Sequence, residues 1–228
     1  MKPNNYIIIL LFFIVSCKNN TTEKSSTERT QTAVESKNTD TLINSADYLI
    51  IGNRNTKIKI VPRKDSLKFP EFKIIDQKKN VLIFAKNFDE STFEIYEKLN
   101  PKYNFNNFKV ELYKGKLALP DFSSNPEARQ FNTRIKEECN NGINFAGKYT
   151  LVIWGCGTAC QAGVIVDRTN GRIYNDYFSA YGSKFNKESS MIIINSGLID
   201  ANTKLINFHN TVDLSVKLWD GSKFVKTK

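Results

Sequence analysis

Short segments in which apolar and polar residues alternate recur along the chain from residue 46 to the C-terminus. A period of two is typical of a β-strand with one buried face. Val212, Leu214, Val216 and Leu218 give the clearest example, with polar residues between them. The pattern predicts strands at TKIKIVPR, NVLIFAK, NFKVELY, KYTLVIWG, CQAGVIVD and VDLSVKLW. Asn170-Gly171 and Asp220-Gly221 each follow such a strand and precede another, which predicts two antiparallel hairpins.

One segment follows the helical period instead. Asn125 suits an N-cap, Pro126 suits the first helical position, and Gly142 suits the exit. Between these signals, the apolar positions that fall on one stripe of a helix are Ala128, Phe131, Ile135 and Cys139. The sequence therefore predicts a helix at about 125–140.

The order of these elements is strands, one helix, and then strand hairpins. We therefore expect an α+β fold, built mainly from antiparallel β hairpins, with the helix packed on the sheet. A boundary near Pro120 would divide the folded part into a strand-rich N-terminal part, 46–120, and an α+β domain, 121–228.

The N-terminal residues MKPNNYIIILLFFIVSC have the character of an export signal. Lys2 gives a short basic region, and about ten apolar residues follow, too few to span a bilayer that needs about 20. Ile14-Val15-Ser16-Cys17 resembles the lipobox of bacterial lipoproteins. The resemblance implies that residues 1–16 are a signal peptide, and that Cys17 carries a diacylglycerol and an acylated amine. Several acyl chains on one residue suffice for stable membrane anchoring.

The residues that follow Cys17 predict which membrane holds the lipoprotein and how its folded part is connected to the lipid anchor. No acidic residue occurs before Glu23, and in related Gram-negative systems this favours an outer-membrane lipoprotein that faces the periplasm. Residues 17–45 are rich in Thr, Ser, Asn and Glu and contain no aromatic residue. Such a composition buries too little apolar surface to offset its ordering entropy, so we expect a disordered tether.

The net charge, the cysteines and the single histidine restrict the classes of partner and site that the sequence supports. The net charge of +10 comes mostly from lysines spread along the chain, without an arginine-rich cluster, which argues against nucleic acid as the partner. Three cysteines besides Cys17 and the lone His209 are too scattered for a four-ligand zinc site. The sequence predicts no metal and no cofactor.

Cys156 and Cys160 lie four residues apart between two apolar runs, with glycine at 155 and 157. Fully extended, such residues stand about 13 Å apart, whereas a disulfide needs about 4.4–6.8 Å between Cα atoms. A turn that brings them together predicts a disulfide-closed hairpin, worth about 2 kcal/mol of stability. The alternatives are a redox pair and a thiol nucleophile with His209 as its base. Cys139 is either a buried apolar residue or a partner of one of these cysteines.

The segments NFAGKY (144–149), WGCGTAC (154–160) and VDRTNGRIY together resemble a motif set of uncharacterised bacterial envelope proteins. The resemblance covers about residues 118–228 and implies a secreted or lipid-anchored α+β domain. It assigns no activity and therefore no catalytic residue. Lysine stands at position 148, where the motif often has histidine.

We expect a membrane-anchored envelope lipoprotein that acts as a non-enzymatic binding or accessory module, for an envelope protein or a cell-wall glycan. The residues that would form its binding surface are Trp154, Gly157, Thr158, Tyr174, Tyr177 and Tyr181. The alternative is a cysteine-dependent enzyme, for thiol–disulfide exchange or acyl transfer, at the Cys156/Cys160 loop. Phe178 and Phe185 belong to the same aromatic cluster as the three tyrosines. The alternative is that this cluster packs beneath the sheet.

Overall fold

The computed structural model describes residues 39–64, 69–78 and 80–227, and their strands form four antiparallel sheets. The predicted signal peptide, Cys17 and most of the predicted tether lie outside these residues. The described strands are β1 (Thr39–Asn44), β2 (Tyr48–Asn53), β3 (Lys57–Pro62), β4 (Lys73–Lys78), β5 (Val81–Lys86), β6 (Glu94–Lys98), β7 (Tyr149–Gly157), β8 (Cys160–Asp167), β9 (Ile173–Ser179), β10 (Ser183–Phe185), β11 (Met191–Ile194), β12 (Leu205–Asn207), β13 (Ser215–Trp219) and β14 (Phe224–Lys226).

Two of the sheets enclose a core built largely from the N-terminal half. Their strand orders are β1-β2-β6-β12 and β3-β5-β4. Ile50, Ile83, Ile95 and Phe208 are buried in this core, and Ile58 packs against it. Alternation explains the arrangement, because in β3 the isoleucines face inward while Lys57 and Lys59 remain exposed.

The other two sheets, β7-β8-β9 and β10-β11-β13-β14, share a second core. Leu151 and Ile165 from the first sheet meet Ile192 and Trp219 from the second. Phe145, which precedes β7, is fully buried among them. Both predicted hairpins are present: β8 pairs with β9 around Asn170-Gly171, and β13 pairs with β14 around Asp220-Gly221.

The predicted helix is present but begins in a different form. Pro126–Phe131 is a 3-10 helix, and the α-helix α1 runs from Asn132 to Asn140. Asn125 occupies the cap position without a side-chain hydrogen bond, whereas Gly142 has the positive φ of +94° expected just beyond the exit. On the predicted stripe, Ala128, Ile135 and Cys139 belong to one buried cluster with Val152, Val164, Val166 and Ile173.

The structure differs from several of the predictions. In VDLSVKLW the strand begins only at Ser215, and its buried residue, Trp219, lies on the face opposite to Val216 and Leu218. NFKVELY forms no strand: Phe105–Phe108 is a 3-10 turn, and the backbone beyond it pairs with loops, with Val110 N–H donating to Glu188 O and Tyr113 N–H to Gly147 O. The tether was predicted too long, because Thr39–Asn44 pairs with β2 and buries part of Leu42 and Ile43 against the first core. The boundary predicted near Pro120 does not divide the sheets, because β6, which precedes it, pairs with β12, which follows it.

Candidate functional site

The hairpin of β7 and β8 is closed at its tip by a disulfide between Cys156 and Cys160, with Cα atoms 5.1 Å apart. Gly157 pairs with Cys160 across the turn, and a bulge at Cys156 separates this pair from Gly155 and Gln161. The left-handed backbone falls at Gly157 (φ +133°) and Ala159 (φ +50°) rather than at Gly155. The predicted disulfide is thus confirmed, and Cys139 is a buried free thiol.

A cavity of about 720 Å³, which we call the hairpin groove, lies beside this tip. Its aromatic wall consists of Phe131 and Trp154, whose rings stack with centroids 4.0 Å apart. Phe178 also lines the groove and is 62% exposed. Cys156 contributes the edge of the disulfide, so the stapled tip forms part of the lining. Phe131, Trp154 and Phe178 come from three different elements: the 3-10 helix, β7 and β9.

Polar side chains line the same cavity. Glu127 and Gln130 come from the 3-10 turn, Asn175 and Asp176 from β9, and Lys217 from β13. Asp176 Oδ2 accepts a hydrogen bond from the Phe224 N–H, which ties this carboxylate to the edge of β14. Aromatic faces beside carboxylate and amide groups are the lining expected for a ligand that has both an apolar face and hydroxyl groups.

Of the six residues predicted to form one binding surface, the structure brings Trp154 and Tyr177 to the hairpin groove and places the other four elsewhere. Trp154 lines the hairpin groove, and Gly157 and Thr158 are exposed at the hairpin tip. Tyr177 is 5% exposed, so most of its ring is core, although part of it reaches the groove wall and its hydroxyl donates to Ser183 Oγ at 3.0 Å. Tyr174 packs edge-on against Trp219.

Tyr181, the last of the six, is 45% exposed and lines a separate cavity with Tyr96 and Leu198. Phe178, which the sequence placed in the aromatic cluster 174–185, does line the groove. The groove also contains residues that the prediction omitted: Phe131 and the carboxylates of Glu127 and Asp176.

A second polar constellation lies at the other end of the same hairpin. Tyr149 pairs with Asp167 there, about 25 Å along the strands from the disulfide at a rise of about 3.3 Å per residue. Lys148 Nζ lies 2.9 Å from Asp167 Oδ2, while Thr169 donates its N–H and hydroxyl to Asp167 Oδ1. The NFAGKY and VDRTNG segments therefore meet each other, away from WGCGTAC.

Arg168, the next residue, is almost fully buried at 4% exposure. Its guanidinium donates to Ala118 O, to Cys139 O and, at 3.1 Å, to Thr150 Oγ1. Cys139 O belongs to the last turn of α1, where a cation complements the helix dipole. Burial raises the pKa of the nearby Cys139 thiol, so this cysteine is held protonated and unreactive. The hydrogen bonds of Arg168 therefore join three segments of the chain, and the Cys139 thiol beside them is not a reactive group.

The pKa of the Asp167 carboxyl group depends on its burial and on the hydrogen bonds that it accepts. Burial by itself raises it, but hydrogen bonds from Thr169 and Lys148 outweigh burial and hold the pKa below its usual value. A lowered carboxyl pKa adds stability above the unfolded value of about 3.9, and that stability is lost as pH falls through the lower folded value.

We therefore expect Asp167→Asn to lower the free energy of unfolding by about 1–2 kcal/mol at pH 7, and by less at pH 2–3. Urea unfolding at pH 7, 4 and 2.5 measures the difference. Asp213→Asn is the matched control, since Asp213 is 77% exposed and 3.9 Å from its lysine. An equal loss for Asp167→Asn at all three pH values would contradict the role given to its charge.

His209 is placed away from the cysteines. Its Nδ1 lies 3.0 Å from Asp76 Oδ2, and the two residues line a smaller cavity beside Phe88, Phe93 and Ile95. The hairpin groove and this cavity share no lining residue. The structure therefore does not bring together the cysteine and histidine of a thiol hydrolase. Within residues 39–64, 69–78 and 80–227, no cluster of His, Cys, Asp or Glu is suited to a metal ion.

Comparison with known proteins adds no relative: no family model, curated protein or solved structure matches this chain. Among the described residues, no helix has the length and apolar character needed to cross a bilayer.

Proposed function

We propose that this protein is a membrane-anchored envelope lipoprotein that acts as a non-enzymatic binding module, with the hairpin groove as its ligand site. The lipobox-like Ile14-Val15-Ser16-Cys17 supports the anchor at Cys17 and a periplasm-facing position at the outer membrane. A glycan of the cell wall is the ligand class that the groove suits best. A sugar ring has an apolar face that stacks on aromatic rings and hydroxyl groups that bond to carboxylates and amides.

The observation that carries the binding proposal is the exposed ring of Phe178 in a groove with the stacked pair of Phe131 and Trp154. We further propose that the helix packs on the β7-β8-β9 sheet as a rigid cover, since Ile135 and Cys139 share a buried cluster with Val152 and Val164. A rigid wall lowers the entropic cost of binding, and the disulfide fixes the hairpin tip in the same way.

Calorimetric titration with a soluble N-acetylglucosamine tetramer, and pull-down with purified peptidoglycan, test the ligand class. Phe178→Ala is expected to weaken binding about tenfold, because it removes one stacking surface. Leu119→Ala is the matched control, since Leu119 is 79% exposed and does not line the groove. Absence of binding to both probes, or an equal loss in both variants, would remove the glycan proposal.

The anchor has its own test. Metabolic labelling with a radioactive or alkyne fatty acid should label the wild-type chain and leave the Cys17→Ala variant unlabelled. The three other cysteines stay in place in this variant, so retained label would show that acylation occurs elsewhere and would exclude the lipobox interpretation.

One observation favours a second candidate, thiol–disulfide exchange: Cys156 is exposed and lines the groove. The double variant Cys156→Ser/Cys160→Ser separates the two functions. A binding module still binds its ligand, with an affinity lowered at most several-fold by the more mobile hairpin tip, at a stability cost of about 2 kcal/mol. An exchange protein instead loses all turnover with a dithiol substrate, and its wild-type disulfide is reduced without unfolding.

A further inference from the structure

One face of the sheet β3-β5-β4 packs in the first core, and few side chains cover its other face. Val61, Leu82 and Phe84 form a small apolar cluster on this second face, packed against Phe69 and Phe72. Among the described residues, the apolar side chains of this cluster come only from the sheet and from the turn at 69–72. This face thus differs from the opposite face of the same sheet, which packs in the first core against strands of the sheet β1-β2-β6-β12.

Lysines lie on this thinly covered face. Because Ile58 and Ile60 of β3 point into the first core, Lys57 and Lys59 point to the opposite side, and both are exposed. Lys57 pairs directly with Lys86 across the strands, and like charges in that position destabilise a sheet. Glu71 bonds Lys86 at 2.5 Å. This ion pair offsets part of the repulsion between Lys86 and Lys57, and an anionic partner would offset the rest.

Apolar groups accompany the charges. Ile74 pairs with Phe84 on this face and is 55% exposed. The ammonium group of Lys59 lies 4.6 Å from the ring centre of Phe69 and 5.3 Å from that of Phe72. Arg63 and Lys64 follow β3 in an exposed turn. We call Lys57, Lys59, Arg63, Lys64 and Ile74 together the basic face. Cations beside exposed aliphatic and aromatic groups match the interface of an anionic lipid bilayer.

The start of the described chain lies near one edge of the basic face. Thr39 pairs with Asn53, and Arg54 Nε forms an ion pair with Asp40 at 3.1 Å. From Asn53 the chain needs only four residues, at most about 14 Å, to reach Lys57. Between Cys17 and Thr39 lie 21 residues. The length of the chain by itself limits the distance between this edge and Cys17 to at most about 80 Å.

We propose that the basic face docks on the anionic phospholipid headgroups of the membrane that holds the anchor. The proposal uses the lipid anchor of the proposed function for its geometry, but the face itself is testable without the lipid. Docking there orients the domain, because lipid contact is confined to one face of one sheet.

Co-sedimentation of the unlipidated mature chain, residues 18–228, with vesicles provides the test. We expect binding to phosphatidylcholine vesicles that contain 30 mol% phosphatidylglycerol, loss of this binding as salt rises, and little binding to phosphatidylcholine alone. Lys57→Glu/Lys59→Glu should lower the partition coefficient by about 25-fold or more. Ile74→Ser should lower it several-fold without changing the salt dependence.

Lys184→Glu/Lys226→Glu is the control of equal charge change, with both lysines exposed on other strands. Lys57→Glu/Lys64→Glu is a second variant that leaves Lys59 on its phenylalanines, in case the first variant unfolds. Failure to bind the anionic vesicles would overturn the proposal, as would an equal loss in the control pair or preferential capture by an anionic polysaccharide. Fatty-acid labelling at Cys17 is measured separately, so failure of the docking face is distinguishable from failure of the anchor.

Discussion

Replacement of Arg168 by methionine is expected to lower the free energy of unfolding by about 3 kcal/mol or more. The guanidinium is buried, and its three hydrogen-bond acceptors are Ala118 O, Cys139 O and Thr150 Oγ1. Methionine fills a similar volume but donates no hydrogen bond, so these acceptors lose a charged donor in a dry environment. Each unsatisfied buried group costs about 1–3 kcal/mol.

Equilibrium urea unfolding, followed by circular dichroism, measures this effect. Arg172→Met is the matched control four residues along the chain, where the side chain is exposed and its guanidinium lies over the ring of Tyr174. The control should cost less than about 1 kcal/mol. Similar losses in the two variants would show that Arg168 does not join the 118 segment, α1 and β7 in the way that its contacts indicate.

Gly171→Ala is expected to destabilise the protein by a similar amount, about 3 kcal/mol or more. Two penalties combine at this position. The backbone has φ of +86°, which costs an alanine about 1–2 kcal/mol, and an added Cβ would lie 2.2 Å from Leu119 O. That carbonyl belongs to backbone rather than to a flexible side chain, and Asp121 N–H donates to Gly171 O beside it. The segment at 119–121 must therefore move away from the hairpin turn.

Gly142→Ala separates the two penalties. Gly142 has φ of +94°, but nothing lies within 4 Å of an added Cβ. Its substitution should cost only the conformational term of about 1–2 kcal/mol. The comparison uses thermal and urea unfolding of both variants under the same conditions. If Gly142→Ala were as damaging as Gly171→Ala, close backbone packing at Leu119 would not be the cause.

Local signals in the sequence predicted the hairpins because the information they need is local. The continuous apolar run of β8 is buried on both faces of the sheet, and Asn170-Gly171 supplies the left-handed residue of the turn between β8 and β9. The disulfide follows the same logic, since the turn between Cys156 and Cys160 brings the two thiols within bonding reach. Gly142 likewise marked the end of the helix.

Features that depend on distant partners were not predicted. NFKVELY alternates as a strand does, yet its backbone partners are Glu188 and Gly147 in loops, so no ladder forms. The hairpin groove collects Phe131, Trp154 and Phe178 from three elements whose juxtaposition no spacing in the sequence records. Arg168 follows a strand at a polar turn and has the pattern of a solvent-exposed residue, although it is buried. Contacts between residues distant in the sequence, rather than the hydrophobic period or the strand and helix propensities, determined the structure at these positions.

The pairing of β12 with β6 affects how this chain acquires its structure. Residues 98 and 205 are adjacent in that pair, so the closing loop is more than a hundred residues long, and its entropy cost is about 4 kcal/mol plus a constant. Phe208, just beyond β12, fills the core between the first two sheets. When the chain becomes available from its N-terminus, Ile50 and Ile95 therefore stay incompletely buried until residues 205–208 are also available. The first half to emerge completes its folding among the last, and during that interval its apolar surfaces are available to chaperones.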